Sequence, residues 1–135
     1  ITGGGFVATG PDEETTARMF EIVRGRVAFY GTTPSYWPVF ELHGLGDLGR
    51  ELNAMSKAGK WNELASRVPD DVVHLFAAVG PHKNIAKRIE ERFGGLSDAL
   101  GMRSDSTTTG YDVPPDVMQD IRRIPTPFQG YKTDW

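Results

Sequence analysis

Cysteine is absent from the 135-residue sequence. With it go a disulfide framework, a thiolate nucleophile and any cysteine-based zinc site. A reducing cytoplasm is compatible with that absence, and a cytoplasmic location is the expectation. Long apolar runs are also lacking: no stretch approaches the roughly 20 residues that span a bilayer, so no membrane partner is expected. Nor is there a basic block. Fifteen Lys and Arg against eighteen Asp and Glu leave a net charge of −3, which argues against nucleic acid or an anionic membrane as partner. G-x-S-x-G does not occur, so a serine hydrolase of that class lacks support. H-E-x-x-H is missing too, and His43, His74 and His82 lack the spacing of a helical metal pair, so no metal site is expected. The opening "ITGGGFVATG" has neither an initiating Met nor a signal-peptide pattern. It reads at once as a buried strand, and the expectation is that something upstream is missing.

What is present is an ordinary globular composition, 39% hydrophobic and 24% charged, enough for a core in one region spanning 1–135. Residues 1–9 read as a strand centred on Phe6, Val7 and Ala8 and stopped by Gly10-Pro11. The early glycine run weakens that strand and permits close backbone approach. A helix follows from Pro11 or Asp12, with acids in its first turn and Ala17, Phe20, Val23 or Arg24, and Val27 on its buried face. Pro38 suits a helix N1 position. Leu48, Leu52 and Met55 share a further helical face, ended by Gly59. Asp70 to Phe76 reads as a short helix followed by a brief extended segment ending at Gly80. The clearest helix is "PHKNIAKRIEERFGG", with Ile85, Ile89 and Phe93 as its stripe. Leu96 to Met102 reads as a second strand, 104–113 as a flexible polar loop, "PPDVMQDIRRI" as a last helix and 125–135 as a tail. The alternation predicts an α/β fold with parallel strands, predominantly helical as an isolated chain.

Gly44, Gly46 and Gly49 in "HGLGDLGR" match G-x-G-x-x-G. A dinucleotide site needs a strand running into the first glycine, and Pro38 in "SYWPVFELH" would forfeit a ladder hydrogen bond there. It also needs a strand-end acid about 20 residues later, and Glu63 and Asp70 fall in helical or turn-like sequence. The glycines therefore read as a turn between helices.

"AFYGTTPSY", "HGLGDLG" and "AAVG…IAKRIEERFGGLSD" together resemble the C-terminal part of luciferase-like flavin and deazaflavin monooxygenases, especially the coenzyme F-420 branch. The resemblance covers roughly Ile1 to Met102. Pro81-His82-Lys83-Asn84 departs from it, placing basic residues where the family usually starts that helix with acidic ones. The resemblance implies a (β/α)8 TIM barrel of at least twice this length. Residues 1–9 would be its seventh strand, 96–102 its eighth, and the helices between them an insertion. It implies coenzyme F-420 (a deazaflavin) or FMN as cofactor in the complete enzyme, and a small-molecule substrate. The partner would be the N-terminal barrel portion or another copy of the chain. Most cofactor contacts would lie on earlier strands, so no residue is assigned as catalytic.

Thr9, at the end of the first strand, is expected to line the functional face of such a barrel. The aromatic group Phe29, Tyr30, Tyr36, Trp37 and Phe40 either walls a substrate cavity or packs helices together. Tyr30, Tyr36 and Trp37 are the better cavity candidates because each carries a polar handle. His43 joins them through its place beside Glu41 and the aromatics. Arg103 is the anion-binding candidate, facing a phosphate or carboxylate. His74 reads as a partly buried structural residue and His82 as a solvated helix start. Two functions follow: part of a flavin- or deazaflavin-dependent oxidoreductase, inactive without the rest of its barrel, or a non-enzymatic domain that oligomerises through the same surfaces.

Overall fold

Wherever apolar residues recur three and four apart, the chain is helical in the computed structural model, which describes residues 2–3, 5–101 and 113–126. The strands are β1 (Thr2–Gly3), β2 (Phe6–Ala8), β3 (Ala77–Val79) and β4 (Ala99–Leu100). The helices are α1 (Glu13–Gly31), α2 (Trp37–Leu42), α3 (Gly46–Lys57), α4 (Asp70–Phe76), α5 (His82–Phe93) and α6 (Pro115–Arg122). Both strand pairs are parallel: β2 with β3 in the register Phe6↔Ala77, Val7↔Ala78, Ala8↔Val79, and β1 with β4 in the register Thr2↔Ala99, Gly3↔Leu100. The fold is thus α/β, mostly helical, with short parallel strands. No helix among the described residues is long and apolar enough to cross a membrane.

The chain forms two compact units, residues 1–16 with 77–135, and residues 17–76. In the first, Ala78, Ile85, Ile89 and Val117 are buried together, with Val7, Phe93, Leu100 and Ile121 packed around them. Periodicity explains the arrangement. Ile85, Ile89 and Phe93 share one face of α5, and Val7 and Ala78 face it from the strand pair. A Cβ on Gly5 would stand 2.0 Å from the Phe93 ring, so glycine there admits the ring onto the backbone. Asp12 starts α1 by accepting the Thr15 N–H at 2.7 Å, an N-cap that satisfies one of the helix's orphan donors.

In the second unit Met19, Val23 and Val27 of α1 are buried, as are Phe40, Leu52, Leu64, Val68, Val72 and Val73. The buried stripe of α1 runs through Met19 rather than the expected Ala17, which is exposed. Arg24 stands beside this stripe with its side chain only 12% exposed. Its guanidinium donates to Glu21 at 2.9 and 3.0 Å, to Asp70 and to the Val68 carbonyl, and lies 5.1 Å above the Phe20 ring. Glu21, with Asp70 behind it, holds the guanidinium above its ordinary pKa against the opposing effect of burial. A planar five-donor fork serves three partners at once, which an ammonium on a flexible stem could not do.

The expected strands are rearranged in two ways. The first is broken into β1 and β2 at the glycine run, where no side chains hold the pleat. The second, expected over 96–102, is reduced to Ala99–Leu100, and β2 instead pairs with the brief extended segment at Ala77–Val79. Small and β-branched side chains in "AAV" let that segment lie flat between two helices. Met102, most of the loop 104–113, and the tail beyond Thr126 lie outside the described residues.

Ile85 is fully buried, so Ile85→Ala is expected to lower unfolding stability by about 3 kcal/mol. A urea titration would show this as a lower midpoint at unchanged slope. A loss under about 1 kcal/mol would show that α5 does not rest on the strand pair as described.

Candidate functional site

Parallel strands end on the same side, and that carboxyl edge is where open α/β sheets and barrels collect their ligands. β2 ends at Ala8 and β3 at Val79, which brings Thr9-Gly10 beside Gly80-Pro81-His82. The ladder continues past the strand ends, with Gly80 N–H donating to the Ala8 carbonyl at 3.1 Å and His82 N–H to the Gly10 carbonyl at 2.8 Å. Thr9 is 4% exposed, and its hydroxyl has no hydrogen-bond partner among the described residues. Buried polar groups are nearly always paired, so an exception of this kind calls for an explanation.

α5 starts directly from this edge. Pro81 is its N-cap, in an extended conformation and without a side-chain cap bond. His82 is half-buried rather than solvated as the sequence suggested. Its amide bond to Gly10 draws it into the ladder. Burial lowers the imidazole pKa below its ordinary 6.5, with the Asp116 carboxylate on α6 pulling the other way.

The remaining sequence candidates lie in the other unit. Tyr30 and Tyr36 meet edge to face at 4.8 Å, and Phe29 links Tyr30 to Trp61, at 5.9 and 6.4 Å. Tyr30, Tyr36, Phe29 and Trp61 are all exposed, so they form an aromatic row open to solvent. Trp37 has a different role. Its Nε1–H donates to the Gly31 carbonyl at 3.0 Å, and its ring lies 3.0 Å from where a Gly49 Cβ would be. It is a packing residue between α2 and α3. His43 is exposed and rests edge-on against Phe76 at 5.7 Å. Its neighbour Glu41 faces Arg50 at 3.9 Å. His74 is exposed, though its ring packs on Phe20 at 5.1 Å. Arg103 lies outside the described residues.

The glycine motif is accounted for by this packing. Gly44 has φ +71°, closing α2 in a left-handed turn, and Gly49 admits the Trp37 ring. Helices stand on both sides of it, with no strand entering Gly44, so the dinucleotide context is absent. Among the described residues no three His, Cys, Asp or Glu side chains group as metal ligands. A concavity of about 380 Å³ in the first unit is lined by Ile89, Phe93, Leu100, Met118, Ile121 and Asp98, whose carboxylate accepts from the Thr126 hydroxyl at 2.6 Å. Its walls are mixed, with Ser97, Arg122 and Thr126 beside the apolar side chains, and it is open to solvent.

Sequence reasoning singled out Thr9 but not the residues it meets. The readable signals were the brief extended segment ending at Gly80 and the family departure at Pro81-His82-Lys83-Asn84; what the sequence does not state is that this segment pairs with residues 6–8.

His82 gives the edge a pH signature. Its folded pKa lies below the unfolded one, so the unfolded chain holds the extra proton between the two values. The stability it contributes is present above about pH 7.5 and is lost as pH falls through the unfolded value toward the folded one. The urea midpoint is expected to fall as the pH drops below about 7.5, and His82→Asn to flatten that slope. Equal slopes in both proteins would place the titrating group elsewhere.

No family model and no solved structure matches the chain. Among curated proteins it is similar to the uncharacterized proteins Rv1360 and MT1405 of Mycobacterium tuberculosis and Mb1395 of Mycobacterium bovis, each 41% identical over 95 residues. The match takes in 70% of this chain and 28% of each relative. The chain therefore spans little more than a quarter of the length of the curated relatives it matches, which run to about 340 residues.

Proposed function

We propose that the chain forms part of a luciferase-like, flavin- or deazaflavin-dependent oxidoreductase of the coenzyme F-420 branch, built as a (β/α)8 barrel. The observation that carries this reading is the parallel pairing of β2 with β3, each followed by a helix and both ending on one edge. Relatives of about 340 residues suit a barrel enzyme, which runs from about 200 to over 400 residues. The motifs "AFYGTTPSY" and "HGLGDLG" support the same family. In this reading β2, β3 and β4 are successive barrel strands, and the partner is the remaining set of strand–helix units.

The cofactor, coenzyme F-420 or FMN, supplies the hydride or oxygen-transfer chemistry toward a small organic substrate. The protein binds, orients and excludes water. This chain's share is the carboxyl edge of β2 and β3, where the unpartnered Thr9 hydroxyl fits a polar group of cofactor or substrate. Tyr30 and Tyr36, held ring to ring at 4.8 Å, offer an aromatic wall to a substrate. Trp37 is withdrawn from that role because its indole N–H is already engaged.

A second reading, an oligomerising domain without catalysis, draws on the exposure of Leu42 (85%), Phe29 (55%) and Trp61 (52%). Exposed apolar side chains in one unit mark an interaction surface.

The two readings separate on purified protein. The full-length mycobacterial relative is expected to bind FMN or coenzyme F-420. A chimera carrying this chain's residues across the matched region should retain that affinity within about tenfold. The 135-residue chain alone should bind neither with an affinity approaching that of the full-length relative. A relative that binds no flavin or deazaflavin, together with a discrete homo-oligomer of this chain by native mass spectrometry, would replace the first reading with the second.

A further inference from the structure

The Thr9 hydroxyl is the strongest unexplained feature of the first unit. It is buried, at the end of a strand, and makes no hydrogen bond among the described residues. Its direction follows from the pleat. Val7 packs against the cluster of Ile85 and Ile89 on α5, and Thr9, two residues further on, shares that face. The β2–β3 register, continued by one residue, sets Thr9 beside Gly80. A Cβ on Gly80 would lie 3.4 Å from Arg88 Cγ and 3.9 Å from Asn84 Cβ, so the first two turns of α5 lie over this pair. Thr9 therefore aims at the start of α5.

That helix start is prepared for an anion. α5 has twelve residues and no side-chain cap. Of its first amides, His82 N–H is taken by the Gly10 carbonyl and Asn84 N–H by the Pro81 carbonyl. The Lys83 N–H has no acceptor among the described residues. The first turn contains no acid, whereas α1 opens with Glu13 and Glu14 and α4 with Asp70 and Asp71. Lys83 instead puts a basic side chain at the positive pole of the helix dipole, which is unfavourable without a counter-charge.

We propose that the carboxyl edge of β2 and β3, closed by the first turn of α5, binds a phosphoryl oxyanion through the Thr9 hydroxyl and the Lys83 backbone N–H. The Lys83 side chain and the helix dipole supply the positive potential. Thr9 donates its proton to a phosphate oxygen, which resolves the buried hydroxyl. Glycine at position 80 adds no side chain beside it, and Asn84 and Arg88 stand within van der Waals reach of where a Cβ would be. The inference rests on the proposed function only in taking this edge as the ligand-facing one. The group bound is a free phosphate or the ester phosphate of a larger ligand.

The test is an amide NMR titration of the 135-residue chain with inorganic phosphate, then with FMN and its phosphate-free counterpart riboflavin. Saturable shifts are expected at Thr9, Gly80 and His82 to Ile85. Thr9→Val, which keeps the β-branched shape, should weaken phosphate binding about tenfold, and Thr9→Ser should restore most of it. The Val variant should melt no lower than the parent, because the hydroxyl it removes has no partner in the fold. Shifts by FMN at the same amides and none by riboflavin would identify an ester phosphate. Phosphate binding without FMN binding would identify the free ion. Undiminished phosphate binding by Thr9→Val, shifts scattered over the surface lysines, or no saturation would overturn the proposal. Failure here would leave cofactor binding by the chimera untouched, and loss of the redox reading would leave this titration standing.

Discussion

The parallel pairing of β2 with β3 is the constraint on which the first unit depends. It joins residues 6–8 to residues 77–79, and closing a loop of that length costs roughly 4 kcal/mol in chain entropy before any contact is gained. A three-residue ladder cannot offset that alone, since each hydrogen bond contributes only about 1 kcal/mol net. Packing has to make up the difference. Ile85 and Ile89 are almost fully buried against Ala78 and Val7, and burying each such side chain is worth about 2 kcal/mol. The intervening residues 17–76 build a unit of their own, so the entropy of ordering them is met within that unit.

Polar interactions in the second unit differ in weight. Pairs such as Arg50 with Asp47 and Arg67 with Glu51 lie on exposed surface, where they contribute a few tenths of a kcal/mol. Arg24 belongs to another class because it is largely withdrawn from water and its donors are shared among Glu21, Asp70 and the Val68 carbonyl. It ties the middle of α1 to the chain entering α4, at the point where Val68 and Val72 join the core. The α1 stripe runs through Met19, Val23 and Val27, with Arg24 at its flank as an anchor.

Helices were legible in the sequence because their signal is redundant. α5 announces itself three times, through Ile85, Ile89 and Phe93, and α3 through Leu48, Leu52 and Met55; an error at one position leaves the others in place. β3 has three residues, too few for a period of two to repeat, and its partner lies far away in sequence. Hence β2 and β3 were each readable, but their pairing was not. His82 was misjudged for the same reason: a residue at a helix start looks solvated unless its amide is known to be claimed by a strand elsewhere. The glycines at 44, 46 and 49 show the reverse case. A motif written in glycines records close approach without saying what approaches, and here it is the Trp37 ring. Among the site candidates, the Thr9 hydroxyl is buried without a partner among the described residues, whereas the Trp37 indole N–H is already committed to the Gly31 carbonyl.

The register that builds the core also sets the carboxyl edge of the strand pair. On β2, Val7 and Thr9 share one face; on β3 and its continuation, Ala78 and Gly80 share the same one. The first residue of each pair packs against α5; of the second residues, Thr9 is buried without a hydrogen-bond partner among the described residues, and Gly80 lies beneath Asn84 and Arg88. A slip of one residue on β2 would turn Val7 and Thr9 away together and bring Phe6 and Ala8 inward. Exchanging Val7 for Phe6 would overfill a cluster whose strand positions are small, and overpacking of that kind costs about 1–3 kcal/mol. The core therefore enforces the register energetically, and the direction of Thr9 follows from it. A buried, unpaired hydroxyl at this position costs the fold stability. It is tolerated because the residues that specify its direction are the ones that hold the strands together.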